Sequence, residues 1–443
     1  MGEETIKKIQ DAGVVGAGGA GFPTHVKVSA SARTIVVNGA ECEPLLRVDQ
    51  QLMARNAKEM IEGLKTVMEL TGAQEGIIAL KDKYKEAINT LQREIAGKPI
   101  KLNVLDDFYP AGDEHVTVYE TTGKLVPQGG IPLKVDCVVT NVETLINVAG
   151  ALAGQPVVDT YITVTGAIAS PVTLKLPIGT PINTALSLAG AGNLKGMKVI
   201  DGGPMMGKIV EDLAEPITKT TKGLIVLPED HPLITKRQKA IDRIIRESNA
   251  ACIQCRFCTD LCPRYLLGHK LEPHKIMRAL KHIQGQEEAL KMAMVCSECG
   301  VCEQYACIVD LSPRKVNAML KKELGKKGLK PEMPKEQAVL NIQPHRKIPV
   351  KRLISRLGLT QYDKKAPLSE NEYTVDKVYI KLHQHVGAPS IPVVKMGQRV
   401  QRGSLIAKIP DNALGANIHA SISGTVVEIS DSIVITSGEG SDR

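Results

Sequence analysis

Eight of the ten cysteines in this 443-residue sequence lie in one short segment, where the chemistry is easiest to recognise. The stretch CIQCRFCTDLCP has the pattern C-x2-C-x2-C-x3-C-P, and CSECGVCEQYAC follows it with C-x2-C-x2-C-x4-C. Three thiolates at this spacing can surround one face of an iron–sulfur cube, and in chains with two clusters the fourth cysteine of each run serves the other cluster. The spacing therefore predicts two [4Fe–4S] clusters. Their predicted ligands are Cys252, Cys255, Cys258 and Cys307 for one cluster, and Cys262, Cys296, Cys299 and Cys302 for the other.

A pair of structural zinc sites is the alternative interpretation of these cysteines. Zinc is usually held by two separated pairs of ligands rather than by triplets, so the pattern favours iron–sulfur clusters. The second run departs from the first, because four residues precede Cys307 and Ile308 rather than proline follows it. Cys42 and Cys137 lie outside both runs and are predicted to be small buried side chains. No signal-peptide pattern opens the sequence, so we expect a cytoplasmic protein with reduced thiols.

The second candidate site is the glycine-rich stretch GVVGAGGAGFPTH, residues 13–25. Its core GAGGAG matches the dinucleotide pattern G-x-G-x-x-G, and Glu41 lies about where that pattern places an acid for the ribose. A dinucleotide loop must follow a strand, whereas the preceding EETIKKIQDAG has the character of a helix. The bare backbone could instead let a flat ring or a phosphate approach main-chain N–H groups. A glycine-rich turn without a ligand is the alternative.

The formal net charge of +8 could indicate a nucleic-acid partner. The excess lies largely in KKELGKKGLKPEMPK and HRKIPVKRLISRLG, however, with no interleaved aromatic residues to stack on bases. We therefore expect no nucleic acid, and a solvated linker or a dock for an acidic partner instead. The mean hydropathy is −0.05, and no apolar run reaches the roughly 18 residues of a membrane span.

The elements that must position these sites alternate between helix and strand over residues 1 to about 150. TIVVNGA, EGIIALK, IKLNVLD and VDCVVTN are typical of short buried strands, and Met53 to Met68 carries one apolar helical face. This pattern predicts an α/β fold with a parallel sheet. A small β-dominated domain is predicted after Gly154. The tail is predicted to be an all-β module, in which His383 and His385 alternate along a strand as core or surface side chains.

Four stretches resemble the FMN- and NADH-binding subunit of respiratory complex I: GAGGAGFPTHVK, VVNGAECEPLLRVD, YPAGDEHVTVYETTGK and VVTNVETLINVAGAL. In that family a similar glycine loop holds flavin and nicotinamide without a Rossmann fingerprint. Asp113 stands where the family has Glu, and His25 replaces a typical glycine. The cofactor-binding residues that the resemblance implies are Gly16, Gly18, Gly19, Gly21, Phe22, Lys27, Asn38, Glu41, Glu43, Gly112, Asp113, Glu114, Thr140, Asn141 and Thr144.

The resemblance assigns different parts of the ligands to these residues. The loop glycines and Phe22 would line flavin and nicotinamide, and Lys27 would meet the phosphate. Asn38, Glu41 and Glu43 would face the isoalloxazine or nicotinamide from the end of a strand. The later residues, Thr140, Asn141 and Thr144, would contact the flavin phosphate and ribityl chain. No side chain is predicted to act as a catalytic acid or nucleophile.

The rest of the chain resembles further modules. YITVTGAIASPVTLKLPIGTPINTAL resembles the soluble-ligand-binding β-grasp (SLBB) domain. LHQHVGAPSIPVVKMGQRVQRGSLIAKI resembles the barrel-sandwich module of the RnfC family, where this module comes first rather than last. HASISG lacks the lysine of lipoyl and biotinyl carriers, so no covalently attached cofactor is predicted. With this permuted order, the whole chain is most similar to the cobalamin reductases of propanediol-utilisation systems.

The implied fold is multidomain α/β. The predicted segments are a Rossmann-like FMN/NADH domain of the complex I type (1–154), an SLBB β-grasp domain (155–215), a helical ferredoxin-like domain with two [4Fe–4S] clusters (216–312), a basic linker (313–372) and an all-β RnfC-type barrel-sandwich domain (373–443).

The resemblance implies an NADH-dependent cobalamin reductase that uses FMN and two [4Fe–4S] clusters. The implied partners are cobalamin as acceptor, a cobalamin adenosyltransferase and microcompartment shell proteins, within or beside a bacterial microcompartment in the cytoplasm. Two alternatives stay open. One is an Rnf-like protein that moves electrons between NADH and ferredoxin, and the other is a docking protein with vestigial redox sites.

Overall fold

The computed structural model describes residues 2–280, 285–330, 334 and 336–438. The predicted domain segments also include residues 1, 281–284, 331–333, 335 and 439–443, which lie outside the described residues.

The N-terminal region is a parallel sheet between helices, as the alternating pattern predicts. The elements are α1 Gly2–Asp11, α2 Thr24–Val28, β1 Thr34–Gly39, α3 Val48–Arg55, α4 Ala57–Thr71, β2 Glu75–Lys81, α5 Lys85–Glu94, β3 Ile100–Leu105, β4 Phe108–Tyr109, α6 Glu114–Thr122, β5 Cys137–Asn141 and α7 Val142–Leu152, with a 3-10 turn at Pro132–Val135. The sheet has the order β3-β2-β1-β5, with all pairs parallel. Its central strands are buried on both faces, which explains their continuous apolar runs.

The helical face predicted from Met53 to Met68 belongs to two helices rather than one. Helix α3 ends before Asn56 and α4 begins after it. Helix α4 packs closely against α7, because a Cβ on Gly63 would lie 2.0 Å from the carbonyl O of Leu145. The break at Asn56 lets α3 turn away towards the carboxyl end of β1, where it contributes Asp49 to the site described below.

The second region is a mixed five-stranded sheet. Its elements are β6 Asp159–Gly166, β7 Val172–Pro177, α8 Ile182–Leu188, β8 Met197–Asp201, β9 Lys208–Ile209 and β10 Gly223–Pro228. The strand order is β7-β6-β10-β8-β9, so the central strand β10 lies beyond residue 215, where the predicted SLBB segment ends. Because β10 pairs in parallel with β6 and antiparallel with β8, the sheet extends to residue 228.

Short helices carry the cysteine segment, and the last of them lies in the predicted linker. The helices are α9 Pro232–Gln238, α10 Ile241–Ala251, α11 Phe257–Asp260, α12 Pro263–Leu266, α13 Pro273–Ala279, α14 Glu287–Lys291 and α15 Pro313–Lys326, with a 3-10 turn at Met292–Val295 and a π-helical turn at Val301–Ala306. Val316 and Asn317 of α15 are fully buried. The amide of Asn317 lies 3.6 Å from Cys296 Sγ. Helix α15 is therefore packed onto the cysteine segment rather than being part of a solvated linker.

The later part of the predicted linker is also packed into the protein. The two-residue strand β11 (Ile348–Pro349) pairs with β4, and α16 (Val350–Arg356) follows it directly. Ile348, Leu353 and Leu359 are buried in a core shared with Tyr109 and Val301. The prediction of a solvated linker is therefore wrong for this part, because its apolar residues close the space between the first sheet and the cysteine segment. The 3-10 turns Gln343–Arg346 and Thr360–Tyr362 flank it.

The tail is an all-β module of two sheets. The strands are β12 Lys377–Lys381, β13 Ile391–Pro392, β14 Arg399–Val400, β15 Leu405–Lys408, β16 Ile418–His419, β17 Gly424–Ile429 and β18 Ser432–Thr436. Their orders are β12-β18-β17-β14 and β13-β15-β16. His383 and His385 do not alternate along a strand, because β12 ends at Lys381 and both lie in the following loop. No described helix is long and apolar enough to cross a membrane.

Candidate functional site

The first part of the site lies at the carboxyl ends of β1 and β5. The chain winds from β1 to β2 and β3 on one side, while β5 lies on the other side of β1. Open α/β sheets bind ligands where the strand order reverses in this way. Asn38 and Asn141 are directly opposite each other in the parallel register at that point. The topology therefore brings together two predicted flavin residues that are distant in sequence.

The glycine loop lies against these strand ends. It follows helix α1 rather than a strand, as predicted, and a bridge between Val15 and Pro23 closes it. The hydroxyl of Thr144 accepts a hydrogen bond of 2.9 Å from Ala17 N. Gly18 needs its missing side chain, because a Cβ there would lie 2.8 Å from Asn141 Nδ2. The loop backbone thus approaches the N-terminus of α7, where free N–H groups favour a phosphate.

A cavity of about 170 Å³ separates the loop from the strand ends. The ammonium of Lys27 lies in its wall and donates to Val139 O at 3.0 Å. The flavin residues predicted from the resemblance that line this cavity are Gly16, Gly18, Gly19, Gly21, Phe22, Lys27, Asn38, Gly112, Glu114, Thr140, Asn141 and Thr144.

A larger cavity of about 560 Å³ adjoins the first and shares Gly18, Asn38 and Gly112 with it. Glu41 and Glu43 line this second cavity rather than the first. The loop 201–208 of the second sheet lines it as well, and so does the cysteine segment through Ser297 and Cys299. Three parts of the chain therefore enclose one continuous space.

The two predicted strand-end acids are engaged by backbone groups. Glu43 accepts hydrogen bonds from Met205 N at 2.8 Å and from Met206 N at 2.9 Å, so it fixes the loop 201–208. Burial raises the pKa of Glu43, while these N–H groups and nearby arginines oppose the shift. Glu41 has a positive φ of 35° and accepts from Asp49 N at 2.9 Å. Both carboxylates thus shape the cavity wall as well as facing it.

Asp113 also has a structural partner. Its carboxylate caps helix α6 by accepting from His115 N at 3.0 Å. It also forms an ion pair of 2.9 Å with Arg264, two residues after Cys262, and both side chains are nearly buried. Burial alone would raise the pKa of Asp113, but the Arg264 guanidinium and the helix N–H groups hold it below the usual value. The pair ties the flavin region to the cysteine segment.

The residue patterns missed three charged groups in this site. Asn141 Nδ2 donates to Asp49 at 2.9 Å, and Lys222 forms a close ion pair with Glu143. Burial and the charge of Glu41 raise the pKa of Asp49 to about 8, and Lys222 opposes the shift. Glu143 lies inside the stretch VVTNVETL, so its position beside a predicted flavin residue was a usable signal. Lys222 carried none, because its partner is far away in the sequence.

We call Cys262, Cys296, Cys299 and Cys302 the inner set. These four thiols line one small cavity, together with Asn317 and Arg314. All except Cys299 are buried. Burial raises the pKa of Cys262 to about 12, and the neighbouring Cys296 thiol adds to the shift. Four neighbouring thiolates repel one another, and only bound metal supplies the positive charge that would stabilise them together.

We call Cys252, Cys255, Cys258 and Cys307 the outer set, and all four are partly exposed. Burial raises the pKa of Cys258 to about 12, and the next largest causes are the thiols of Cys307, Cys252 and Cys255. The structure thus brings together the same two groups of four that the spacing predicts, including Cys307. Across residues 2–280, 285–330, 334 and 336–438, no three His, Cys, Asp or Glu side chains are placed to hold a single metal ion.

Both sets have N–H groups directed at sulfur, which suits iron–sulfur ligands because such hydrogen bonds tune cluster potentials. In the outer set, Leu311 N donates to Cys307 Sγ at 3.2 Å and the Gln254 amide to Cys252 Sγ at 3.1 Å. In the inner set, Glu298 N donates to Cys296 Sγ at 3.4 Å. The donor sets therefore fit two clusters.

Cys299 lines both the larger cavity and the cavity of the inner set. The buried hydroxyl of Tyr109 donates to Cys299 O at 2.6 Å, across 190 residues of sequence. Arg314 donates to Met205 O at 3.0 Å, so α15 also holds the loop 201–208. The inner set is therefore in the wall of the flavin-side space.

The C-terminal module holds both ends of the glycine loop. The buried amine of Lys219 donates to Gly13 O at 2.7 Å and to Asn417 O at 2.9 Å. Val386 N donates to Gly21 O at 3.1 Å. Burial lowers the pKa of Lys219 to about 7. Neither the composition nor the motifs indicated this contact.

Known protein families match four parts of the chain. Residues 9–150 match the Nuo51 FMN-binding domain, and residues 161–208 match the SLBB domain. Residues 251–312 match a 4Fe-4S dicluster domain, and residues 360–441 match the RnfC barrel sandwich hybrid domain. The fold and the site together define an iron–sulfur flavoprotein of electron transfer.

Whole-chain relatives specify the family. The chain is 47% identical over 439 residues to the cobalamin reductase PduS of Citrobacter freundii, covering 98% of this chain and 97% of that protein. It is 46% identical over 434 residues to the PduS of Salmonella typhimurium, covering 98% and 96%. The chain therefore belongs to the cobalamin reductase PduS family.

More distant relatives share parts of the chain. One is the RnfC-type component of the Na(+)-translocating ferredoxin:NAD(+) oxidoreductase complex of Acetobacterium woodii, which is 37% identical over 277 residues. That match covers 60% of this chain and 59% of the relative. Among solved structures, an NAD+-reducing [NiFe]-hydrogenase in the H2-reduced state matches with a TM-score of 0.50 and 20% identity. This second match covers 75% of this chain and 64% of the hydrogenase chain, and it shows shared fold alone.

Proposed function

We propose that this protein is an NADH-dependent reductase that passes electrons through FMN and two [4Fe–4S] clusters to cobalamin. The observation that carries the proposal is Cys299, which lines both the flavin-side space and the cavity of the inner set. The names of the full-length relatives supply the acceptor. When bound, FMN would take two electrons from NADH, and the clusters would pass them on singly.

The chain's own residues would bind and orient these groups. The glycine loop and the N-terminus of α7 would hold the flavin phosphate, with Thr140 and Thr144 beside it and Lys27 supplying a positive charge. Asn38, Glu41 and Glu43 would border the flavin ring and nicotinamide. Asp113 would act indirectly, by fixing Arg264 next to the inner set.

The two cysteine sets would each hold one [4Fe–4S] cluster. The inner set would receive electrons first, because its cavity shares a wall with the flavin-side space. Buried surroundings would also exclude water from it. No acid, base or nucleophile is required, because the transfer moves only electrons once the hydride has left NADH.

The finer folds belong to the same proposal. The segments would be a Rossmann-like domain of the complex I type (1–154), a β-grasp domain, a helical ferredoxin-like domain and a barrel-sandwich domain. We propose that the β-grasp domain extends to residue 228 to include β10. The helical domain would then continue through α15 to residue 326.

The biological setting is also proposed. A cobalamin adenosyltransferase would consume the reduced cobalamin, and shell proteins of a microcompartment would surround the pair in the cytoplasm. An Rnf-like exchange of electrons between NADH and ferredoxin is the second candidate, because residues 360–441 match the RnfC module. Reduction of ferredoxin but not cobalamin by the NADH-reduced protein would favour this candidate.

The proposal is tested by assaying iron and flavin in anaerobically purified protein and adding NADH. We expect about eight iron atoms and one FMN per chain, an absorbance bleached by NADH, and re-oxidation by cob(III)alamin. Iron without flavin, or a spectrum that NADH leaves unchanged, would contradict it.

A glycine variant adds a sharper comparison. Gly18→Val should lose FMN and the response to NADH but keep its iron and its response to dithionite, because the new side chain would collide with Asn141. Gly325→Ala on α15 is the matched control, since a Cβ there meets nothing within 4 Å. If Gly18→Val retains FMN and NADH bleaching, the loop is not the flavin site.

A further inference from the structure

We propose that electrons leave the protein from the outer set, and that cobalamin docks on an apolar rim around it formed by Ile253, Phe257, Ile308 and Val309. This inference rests on the proposed function and adds the place where the acceptor binds.

The first step is the different enclosure of the two sets. Three of the four inner thiols are buried, and Cys299 faces the flavin-side space. All four outer thiols are partly exposed, and none lines that space. Electrons that enter through the inner set can therefore reach solvent through the outer set.

The second step is the surroundings of the outer thiols. Ile253 is 63% exposed, Phe257 45%, Ile308 53% and Val309 37%. Each lies next to an outer cysteine in sequence, or next but one. The two pairs come from distant segments, and the proximity of Cys258 to Cys307 brings them to one place. Phe257 is one of only three phenylalanines in the chain, yet it lies at the surface.

The third step is the size of the rim. Exposed apolar residues that converge on one spot mark interaction sites, unlike those scattered singly. A stable protein–protein interface buries at least about 1,200 Å² in total. Four side chains cannot supply that area by themselves, whereas they can cover one face of a flat corrin ring. The rim therefore suits a single macrocycle better than a protein carrier.

The fourth step is charge. Arg356 is exposed and donates to Cys307 O at 3.4 Å, which places a positive charge at the rim. The nearby acids are paired, since Asp310 lies 2.5 Å from Lys236 and Asp260 lies 3.6 Å from Arg256. Cobalamin carries one phosphodiester on its nucleotide loop, and a guanidinium complements that anion.

The electron count closes with the donor already named. One NADH yields NAD+, one proton and two electrons, and each cob(III)alamin takes one electron to become cob(II)alamin. One NADH therefore reduces two cob(III)alamin molecules, which would dock in turn, and the proton goes to solvent.

The test compares rim variants with a surface control in the full holoprotein. Phe257→Ser and Ile308→Ser remove apolar surface at the rim. Met396→Ser is the control, because Met396 is 69% exposed on the C-terminal module. Equal iron content, and equal bleaching by NADH, would establish that each variant is folded and loaded.

We expect each rim variant to raise the Kd for cob(III)alamin, measured by equilibrium dialysis, about tenfold. In the wild type, bound cob(II)alamin should broaden the EPR signal of the reduced outer cluster through its unpaired electron. The rim variants should lose this broadening at the same cobalamin concentration, and the control should keep it.

Unchanged Kd values in the rim variants would overturn the proposal, and so would broadening of the inner cluster instead of the outer one. Transfer only to a protein carrier, with no binding of free cobalamin, would also overturn it. If NADH fails to reduce the wild-type clusters, the proposed function fails. If the wild type reduces cobalamin and the rim variants do so equally well, only the docking site fails.

Discussion

The inner and outer sets are built from the same residue type at nearly the same spacing, yet the chain surrounds them differently. The inner set is anchored by buried groups, including the Asp113–Arg264 ion pair and the hydroxyl of Tyr109. The outer set lies at the surface, where Arg256 and Asp260 form a partly exposed pair of 3.6 Å. Identical ligand motifs can therefore serve opposite ends of one electron path, because the surroundings decide what each set can reach.

Loss of one ligand in each set should separate these roles most strongly. Cys299→Ser should cost about four iron atoms and leave the outer cluster oxidised after NADH, although FMN is still bleached. Cys255→Ser should also cost about four iron atoms, but NADH should still reduce the inner cluster. Low-temperature EPR after NADH, and then after dithionite, distinguishes the two.

Cys137→Ala is the control for these variants, since Cys137 belongs to neither set, and it should keep all its iron. If NADH reduces the outer cluster in Cys299→Ser as fast as in the wild type, the inner set is not an obligatory step.

The ion pairs should differ next most strongly. Asp113→Asn leaves the buried Arg264 unpaired and should lower the free energy of unfolding by about 3–5 kcal/mol. Asp260→Asn breaks only the partly exposed pair and should cost about 1 kcal/mol or less. Urea titrations followed by cluster absorbance measure both. Equal costs would mean that the inner set owes nothing to its buried pair.

The same pair predicts an acid dependence. Because the pKa of Asp113 is lower in the folded protein, its stabilisation is present above the pH where an unfolded aspartate titrates. It is lost as the pH falls through the folded pKa. Asp113→Asn should therefore flatten the acid limb of the stability curve, and Asp260→Asn should leave it unchanged.

The two tyrosines beside the sets give a smaller contrast. Tyr109→Phe leaves the buried carbonyl of Cys299 without its donor and should cost about 1–3 kcal/mol. Tyr265 accepts only a long contact of 3.4 Å from Arg256 at the surface, so Tyr265→Phe should cost at most a few tenths of a kcal/mol. Urea midpoints at constant m-value measure the difference, and a larger loss in Tyr265→Phe would reverse the ranking of the two surroundings.

Lys219→Met should affect the flavin while leaving both cysteine sets intact. The variant frees Gly13 at the start of the glycine loop, so FMN affinity should fall by about tenfold or less. Iron content should not change. Lys381→Met is the control, because Lys381 pairs with Glu215 at the surface at 3.3 Å. Ultrafiltration of FMN measures the affinity, and unchanged binding would mean that the C-terminal module does not support the loop.

Lys219 also gives a pH signature. Its folded pKa of about 7 is below the usual value of 10.5, so the unfolded chain binds an additional proton between those pH values. The wild type should therefore gain stability as the pH rises from about 7 towards 10.5, and Lys219→Met should lack this gain. A parallel pH dependence in the two proteins would contradict it.

Sequence patterns succeeded where the relevant residues are close together in the chain. The strands of the first sheet are short apolar runs, and all were predicted with their parallel arrangement. Prediction was wrong where distant segments pack together. The 348–359 stretch is basic in composition, yet its apolar residues fill a core with Tyr109 and Val301. Strand β10 was missed because its pairing partners come from another part of the sequence.

The candidate site divides in the same way. Cysteine spacing and the glycine loop identified the ligand groups, since a cluster face or a phosphate needs donors that are near neighbours. Asp49, Lys222 and Lys219 had no signal, because each gains its partner only when separate domains meet.

Thiol spacing and bare backbone are local properties of the chain, so the amino-acid sequence alone decides which chemistry is possible here. It could not say which cysteine set faces the flavin, which acids are already engaged, or that the C-terminal module holds the glycine loop. Those depend on contacts such as Tyr109 with Cys299 and Lys219 with Gly13, which join residues about two hundred positions apart. Only the packing of the domains creates such neighbours, and burial then sets their charges and roles.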